Sequence, residues 1–226
     1  MSNQPQSVRL NKFLAERLGI SRREADELIS AGKITVDDKP AILGTKIDEQ
    51  SKVFYNHKPV SHDTEYIYLA FHKPVGYVCS RRAQGPAPTI YDLLPKKYRQ
   101  LKTVGRLDKD SSGLILLTND GDFAFQMTHP KFRKTKIYEV ELDKPLQPLH
   151  QQMISDYGVM LDDGPSQFTV VHDDNKYIVT LTEGRNRQIR RTFATLGYTV
   201  TNLHRTHFGK YELGDLEEGR FQIIPT

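Results

Sequence analysis

The chain has 226 residues, 37% hydrophobic and 27% charged, with a formal charge of +4, the balance of an ordinary soluble protein with enough apolar content for a sizeable core. Its one cysteine, Cys79, excludes an intramolecular disulfide and a cysteine-based zinc site, and suits a small core residue better than a nucleophile. No apolar run is long enough to span a bilayer and the first residues lack a signal-peptide core, so a cytoplasmic protein that avoids membranes is expected.

Residues 1–7 are polar and expected to be disordered. Leu10, Phe13, Leu14 and Leu18 follow helical spacing and stop at Gly19, which predicts a short amphipathic helix. Ser21 to Glu24 reads S-x-x-E, a capping box, and opens a second helix with Ala25, Leu28 and Ile29 on its buried stripe and Gly32 at its end. Arg22 and Arg23 lie off that stripe and Lys33 follows the stop. Strand-like pieces at 34–36, 46–47 and 53–55, with a turn at Asp37-Asp38, complete a unit near the small end for independent folding. Residues 56–64 are polar, contain Pro59 and read as a linker, dividing the chain into domains at 8–62 and 65–226.

The second domain opens with an apolar strand, a turn at Lys73-Pro74-Val75-Gly76 and another strand. A short helix over 89–94 is stopped by Pro95. Three basic clusters follow: Lys96, Lys97, Arg99, Lys102, Arg106 and Lys109; then Lys131, Arg133, Lys134 and Lys136; then Arg185, Arg187, Arg190 and Arg191. Spaced by apolar strands, they suggest either a phosphate-tracking surface or a set of solvated loops.

The stretch Gly105–Gly121 reads GRLDKDSSGLILLTNDG. Leu114-Ile115-Leu116-Leu117 fits a strand buried on both faces, with helix not excluded by periodicity. Asp108 then stands in a loop held by a rigid element, and its neighbours Arg106 and Lys109 favour the ionised carboxylate. Such a carboxylate serves as nucleophile, base, metal ligand or half of a salt bridge. A calcium loop counted from Asp108 fails at its twelfth position, Asn119, which cannot chelate bidentately. A phosphotransferase built on Asp108 and Asp110 would want its nucleophile at the end of an apolar strand, whereas Gly105 and Arg106 come first. A turn or capping role fits Asp110 and Asp120 better than Asp108.

Downstream, Lys136 to Leu142 alternates as a strand, with Tyr138 on the face of Val140 and Leu142. A helix is expected around Met153, a Gly-Pro turn at Gly164, and a strand pair at 168–171 and 176–182. The string NRQIRRTFATLG forms a helix with Ile189, Phe193 and Leu196 on one face and Arg190 on the shoulder, partly buried and in want of a carboxylate. Residues 199–213 and 219–224 close the fold as strands.

GRLDKDSSGL followed by LTNDG resembles the signature of the RsuA-type ribosomal RNA pseudouridine synthases, and KIYEVEL and EGRNRQIRR resemble that family's later motifs in the same order. SRREADELISAGKITVDD resembles the small S-four-type RNA-binding module of a ribosomal protein. The likeness runs from about residue 8 to residue 224. It implies an α+β chain: a small N-terminal α/β RNA-binding module, then a mixed, mainly antiparallel catalytic sheet with flanking helices. It implies an isomerase needing no cofactor, with Asp108 catalytic, Tyr138 packed on the target base and Arg190 paired with Asp108. Arg22, Arg23, Lys33, Arg106, Arg185, Arg187 and Arg191 are expected at RNA phosphate. The implied partner is ribosomal RNA, free or in a pre-ribosomal particle, bound by a monomer. KDSSGL and NRQIRR look closer to members acting on the large subunit, which is the expected target. A non-catalytic RNA-binding or ribosome-assembly protein would use the same surfaces without needing Asp108, Tyr138 and Arg190 together.

Overall fold

The computed structural model describes residues 7–63, 65–81 and 85–225, so the disorder expected for residues 1–7 lies, Ser7 aside, outside the described residues. Two compact units divide the chain, one ending at Ile67 and taking in Asn119–Gly121, the other formed by Tyr68–Thr118 and the residues from Asp122 onward.

The first unit holds β1 (Val8–Arg9), α1 (Leu10–Arg17), α2 (Arg22–Ser30), β2 (Ile34–Val36), β3 (Lys39–Pro40), β4 (Lys46–Ile47), β5 (Val53–Tyr55) and β6 (Lys58–Pro59). The capping box forms as expected: the Glu24 amide donates to Ser21 Oγ at 3.1 Å and the Ser21 amide to Glu24 Oε2 at 2.7 Å. Two orphan amides of α2 are thereby satisfied. Leu10, Leu14, Ala25, Ile29, Ile34 and Val53 make the core, with Leu28 packed against it. Asp37 and Asp38, and again Asn56 and His57, have positive φ between 47° and 64°, the conformation of two-residue hairpin turns. The second of these turns corrects the expectation of a linker over 56–64. The chain folds back there, and β6 extends the sheet β3-β2-β5-β6.

The second unit is built on a nine-stranded sheet ordered β13-β14-β10-β15-β9-β7-β17, with β16 added to β15 and β8 to β9. Its strands are β7 (Tyr68–Lys73), β8 (Lys102–Val104), β9 (Ser112–Thr118), β10 (Lys136–Leu142), β13 (Thr169–Asp173), β14 (Lys176–Leu181), β15 (Val200–Phe208), β16 (Tyr211–Glu212) and β17 (Phe221–Ile223). The hairpin β11 (Val159–Leu161) and β12 (Gly164–Ser166) stands apart from this sheet. Helices α3 (Gly121–Thr128), α4 (Pro148–Gln152, continued by a π turn over Met153–Tyr157) and α5 (Gln188–Thr195) complete it. A segment expected as a strand after Gly76 makes only an isolated bridge, Val78 with Thr89, and 89–94 is a 3-10 turn over Ile90–Leu93. The α+β expectation holds. Among the described residues every pairing of named strands is antiparallel except β9 with β15, which run parallel through two residue pairs, His204 with Ser112 and Arg205 with Gly113.

All seven residues of β9 are buried, as its unbroken apolar run requires of a strand covered on both faces. That strand carries the Asp108 loop on its leading end, while β10 and β15 bring Tyr138 and Arg205 to the other side of the parallel seam. Among the described residues, no helix is long and apolar enough to cross a membrane.

Candidate active site

Asp108 lies between β8 and β9 in a loop tied down by its backbone. Gly105 turns the chain at φ 71°, and the Ser111 amide donates to Asp108 O at 3.1 Å. From β7, the buried Lys73 ammonium donates to Pro74 O at 2.9 Å and Ser111 O at 2.6 Å, with Lys109 O at 3.5 Å, while the Gly76 amide donates to Lys109 O at 2.7 Å. The Lys-Pro-Val-Gly turn thus clamps the carbonyls on either side of Asp110. Burial pulls the Lys73 ammonium down to about 8, against the upward pull of Cys79, Asp108 and Asp110 nearby.

That shift has a consequence for stability. Between about pH 8 and the ordinary lysine value of 10.5 the unfolded chain holds a proton that the folded chain has lost, so folding is favoured as pH rises through that window. Lys136, also held near 8 by burial and by the Arg205 charge, acts in the same sense. Wild type should therefore gain thermal stability over Lys73→Met between pH 7.5 and 10, as measured by unfolding midpoints. A constant difference would show that Lys73 keeps its proton throughout.

Arg187, at the start of α5 with φ 48°, reaches across to the loop. Its two terminal nitrogens donate to the two oxygens of Asp110, both at 2.9 Å, and Nη1 lies 3.7 Å from Asp108 Oδ2. This hydrogen-bonded pairing pulls the Asp110 carboxyl down and the Arg187 guanidinium up. Arg190, half-buried as expected, donates to Val200 O at 2.8 Å and Asp110 O at 2.7 Å, and its Nε lies 3.5 Å from Asp110 Oδ2. The expected ion pair of Arg190 with Asp108 is therefore corrected: Arg187 stands at Asp108, and Arg190 fastens the loop through Asp110. One helical turn separates the two arginines, and Arg187 stands just before α5 with a left-handed backbone, φ 48°.

The contrast between the two aspartates is chemical. Both oxygens of Asp110 are occupied, whereas the Asp108 carboxylate makes no hydrogen bond among the described residues and lines a cavity of about 310 Å³. A carboxylate without donors keeps its lone pairs for a substrate. Tyr138, 8% exposed, forms another wall, as do Ile189, Leu203 and Phe208. Arg205, 2% exposed, donates from Nε to Leu114 O at 2.8 Å and from Nη1 to Tyr138 Oη at 3.4 Å, and its guanidinium stands 4.9 Å from the centre of the Phe208 ring. A cavity with apolar and aromatic walls, a carboxylate without hydrogen bonds and several cations in its lining suits a planar polar ring.

The expected phosphate-binding residues fall into two sets. Arg22, Arg23, Lys33 and Arg106 are exposed, Arg22 also donating to Asn11 Oδ1 at 3.2 Å, and Arg106 lines the cavity. Arg185, Arg187 and Arg191 are committed within the protein. Arg185 donates to Gly164 O, Pro165 O and Asp163, and Arg191 grips both oxygens of Asp163 at 3.0 and 2.8 Å, so these two brace the β11–β12 turn against α5. Sequence reasoning missed the clamp of Lys73, the Asp108 contact of Arg187, and Arg205. It also missed Phe125 and Phe132, which are 46% and 37% exposed, stand edge to face, and have Lys131 over both rings. Exposed rings beside a cation form a surface on which bases stack.

Comparison with known proteins agrees with this arrangement. A family model described as RNA pseudouridylate synthase matches residues 67–195, and one described as S4 domain matches residues 8–53. The chain is 34% identical to ribosomal small subunit pseudouridine synthase A of Vibrio vulnificus and 35% identical to that of Pasteurella multocida, with 96% of each chain covered in both cases. It is 37% identical to an uncharacterized RNA pseudouridine synthase of Mycobacterium bovis, covering 99% of this chain and 92% of the relative. A crystal structure of a pseudouridylate synthase superposes with a TM-score of 0.70 at 31% identity, covering 96% of both chains. The large-subunit preference read from KDSSGL and NRQIRR finds no support among these relatives. With its catalytic-domain match, its full-length relatives and its fold in agreement, the chain belongs to the RNA pseudouridylate synthase family.

Proposed function

We propose that this chain converts a uridine of small-subunit ribosomal RNA to pseudouridine, with Asp108 as the reacting carboxylate. The observation that carries the reading is the Asp108 carboxylate, without a hydrogen bond among the described residues, lining a cavity walled by Tyr138, with Arg187 3.7 Å away. The names of the Vibrio and Pasteurella relatives support the small subunit as the target.

The reaction is an isomerisation. The C1′–N1 bond breaks, the detached uracil turns, and a C1′–C5 bond forms; C5 loses a proton and N1 gains one. A uridine must leave its helix to reach the cavity. Tyr138 then stacks on the ring, and Asp108 acts either as nucleophile or as base. Arg187 holds Asp108 toward the cavity, and Arg190 and Lys73 hold the loop. Arg106 and the exposed Arg22, Arg23 and Lys33 serve the RNA backbone, where cations position a protein without reading sequence. The first unit anchors RNA and the second carries the chemistry.

Purified protein incubated with unmodified small- and large-subunit rRNA tests this, with pseudouridine mapped by carbodiimide adducts and primer extension. One new stop on small-subunit rRNA is expected. A stop on large-subunit rRNA alone would reverse the target. Tight binding with no stop on either RNA, free or in assembling particles, would favour a non-catalytic assembly factor.

A further inference from the structure

The charges lining the cavity do not balance: Arg106, Lys136, Arg185, Arg187 and Arg205 stand against Asp108 and Glu183. Asp108 and Asp110 are met by Arg187 and Arg190, and Glu183 and Asp163 by Arg185. Beside Tyr138 in the cavity wall stands a further guanidinium, Arg205, 2% exposed, with no carboxylate within ion-pair distance among the described residues and a buried Nη2 that has no hydrogen-bond partner. Arg185 and Arg190 also leave a buried Nε without a hydrogen bond, but each has a carboxylate at 3.0 or 3.5 Å. A buried, unpaired charge is costly, and replacing it with an apolar residue of similar size often leaves a protein as stable or more so. The bond of Arg205 to Leu114 O and its place beside the Phe208 ring hold the side chain, but they leave its charge without a counter-ion. The Arg205 charge is felt inside the cavity, since it helps push the Lys136 ammonium down.

An anion formed in the cavity would supply the missing partner. In the reaction proposed above the electron pair of C1′–N1 leaves with N1, so uracil departs as a monoanion, while Asp108 becomes a neutral ester to C1′ as nucleophile or a neutral acid as base; the negative charge passes from Asp108 to the uracil. Resting on that reading, we infer that Arg205 is the electrostatic partner of the detached uracil, holding the anion in the slot while it turns from N1 to C5. It acts from beside the stacking ring, through its Tyr138 hydrogen bond and its own field, since a buried fixed charge is worth more than an exposed one. The negative charge returns to Asp108 when C5 bonds to C1′ and the carboxylate is released; N1 then takes up the proton that C5 gives up, and Arg205 neither gains nor loses a proton in the cycle.

The test compares wild type, Arg205→Met and Arg205→Lys on small-subunit rRNA transcribed with uridine or with 5-fluorouridine, whose uracil is the better leaving anion. Because C5 of 5-fluorouridine has no proton to give up, single-turnover loss of the N-glycoside is followed on both RNAs by mass spectrometry of the digested nucleosides. Arg205→Met should fold with an unchanged or higher unfolding midpoint, yet slow the uridine reaction about a hundredfold or more. The loss should be smaller on 5-fluorouridine, and Arg205→Lys should fall between the two proteins on uridine. Rates within threefold of wild type for Arg205→Met would overturn the inference. So would equal losses on both RNAs, or a fall in midpoint that Arg205→Lys repairs without recovering rate, since those mark a structural residue. Failure of wild type to act on the uridine RNA would strike the reading beneath it instead, and this inference with it.

Discussion

Asp108→Asn is expected to abolish pseudouridine formation, by on the order of 10³-fold or more, while leaving fold and RNA affinity nearly unchanged. The substitution keeps the size of the side chain and removes its charge and its basic lone pairs. Its effect on stability is small because the side chain is one-third exposed and its ion pair with Arg187 is long, at 3.7 Å; exposed pairs of this kind contribute about 0–1 kcal/mol. The loop does not depend on it. Arg187 and Arg190 hold Asp110, and Lys73 holds the carbonyls of Pro74 and Ser111, in the variant as in wild type. Removing a negative charge from a cavity that receives RNA leaves binding equal or slightly tighter. Filter binding and primer extension on the same RNA separate the two effects. Pseudouridine formed by the variant within tenfold of wild type would remove Asp108 from the chemistry. Asp110→Asn is the informative contrast: it breaks the bidentate contact with Arg187, so it should lower both activity and the unfolding midpoint.

The parts of this site that were legible in the sequence are those written in local spacing. The capping box at Ser21, the alternation of Lys136–Leu142 and the apolar run Leu114–Leu117 depend on neighbours a few residues away, and each forms as read. Asp108 stood out because a polar, basic turn runs straight into a buried strand. Pairings over long separations were another matter. The choice between Arg187 and Arg190 as partner of Asp108 turns on one positive φ at the mouth of α5, which a helical wheel does not contain. Arg185 and Arg191 read as phosphate contacts because Asp163, more than twenty residues upstream, gave no hint that it would receive them. Lys73 belonged to a visible turn, but its burial follows from the loop packed over it. Arg205 had no local signal at all, since an arginine in a strand is ordinarily exposed and only the seam with β9 buries this one. The linker reading of 56–64 misses the hairpin at its start, because polar residues with a proline suit a hairpin edge as well as a connection.

Gly113→Ala should be the most damaging single methyl group in the second unit. Gly113 has φ 104°, where side chains are strained, and it faces Arg205 across the parallel seam. A Cβ there would overlap the Arg205 carbonyl oxygen and stand 2.5 Å from its amide nitrogen and 2.8 Å from its carbonyl carbon. These are backbone atoms in the middle of a sheet, so relief requires the strands to part. The seam has only two residue pairs, and it alone joins β13-β14-β10-β15 to β9-β7-β17. Strain at φ and overpacking together are expected to cost about 3–5 kcal/mol, or ~10 °C in the unfolding midpoint of a chain this size. Gly197→Ala separates the two causes, because Gly197 has φ 81° but nothing within 4 Å of a new Cβ, and it should lose only about 1 kcal/mol. Equal losses in the two variants would mean that the seam gives way easily. The larger loss at Gly113, with activity falling faster than stability, would show that the seam sets the spacing between the Asp108 loop on β9 and Tyr138 and Arg205 beyond it, the spacing on which the chemistry depends.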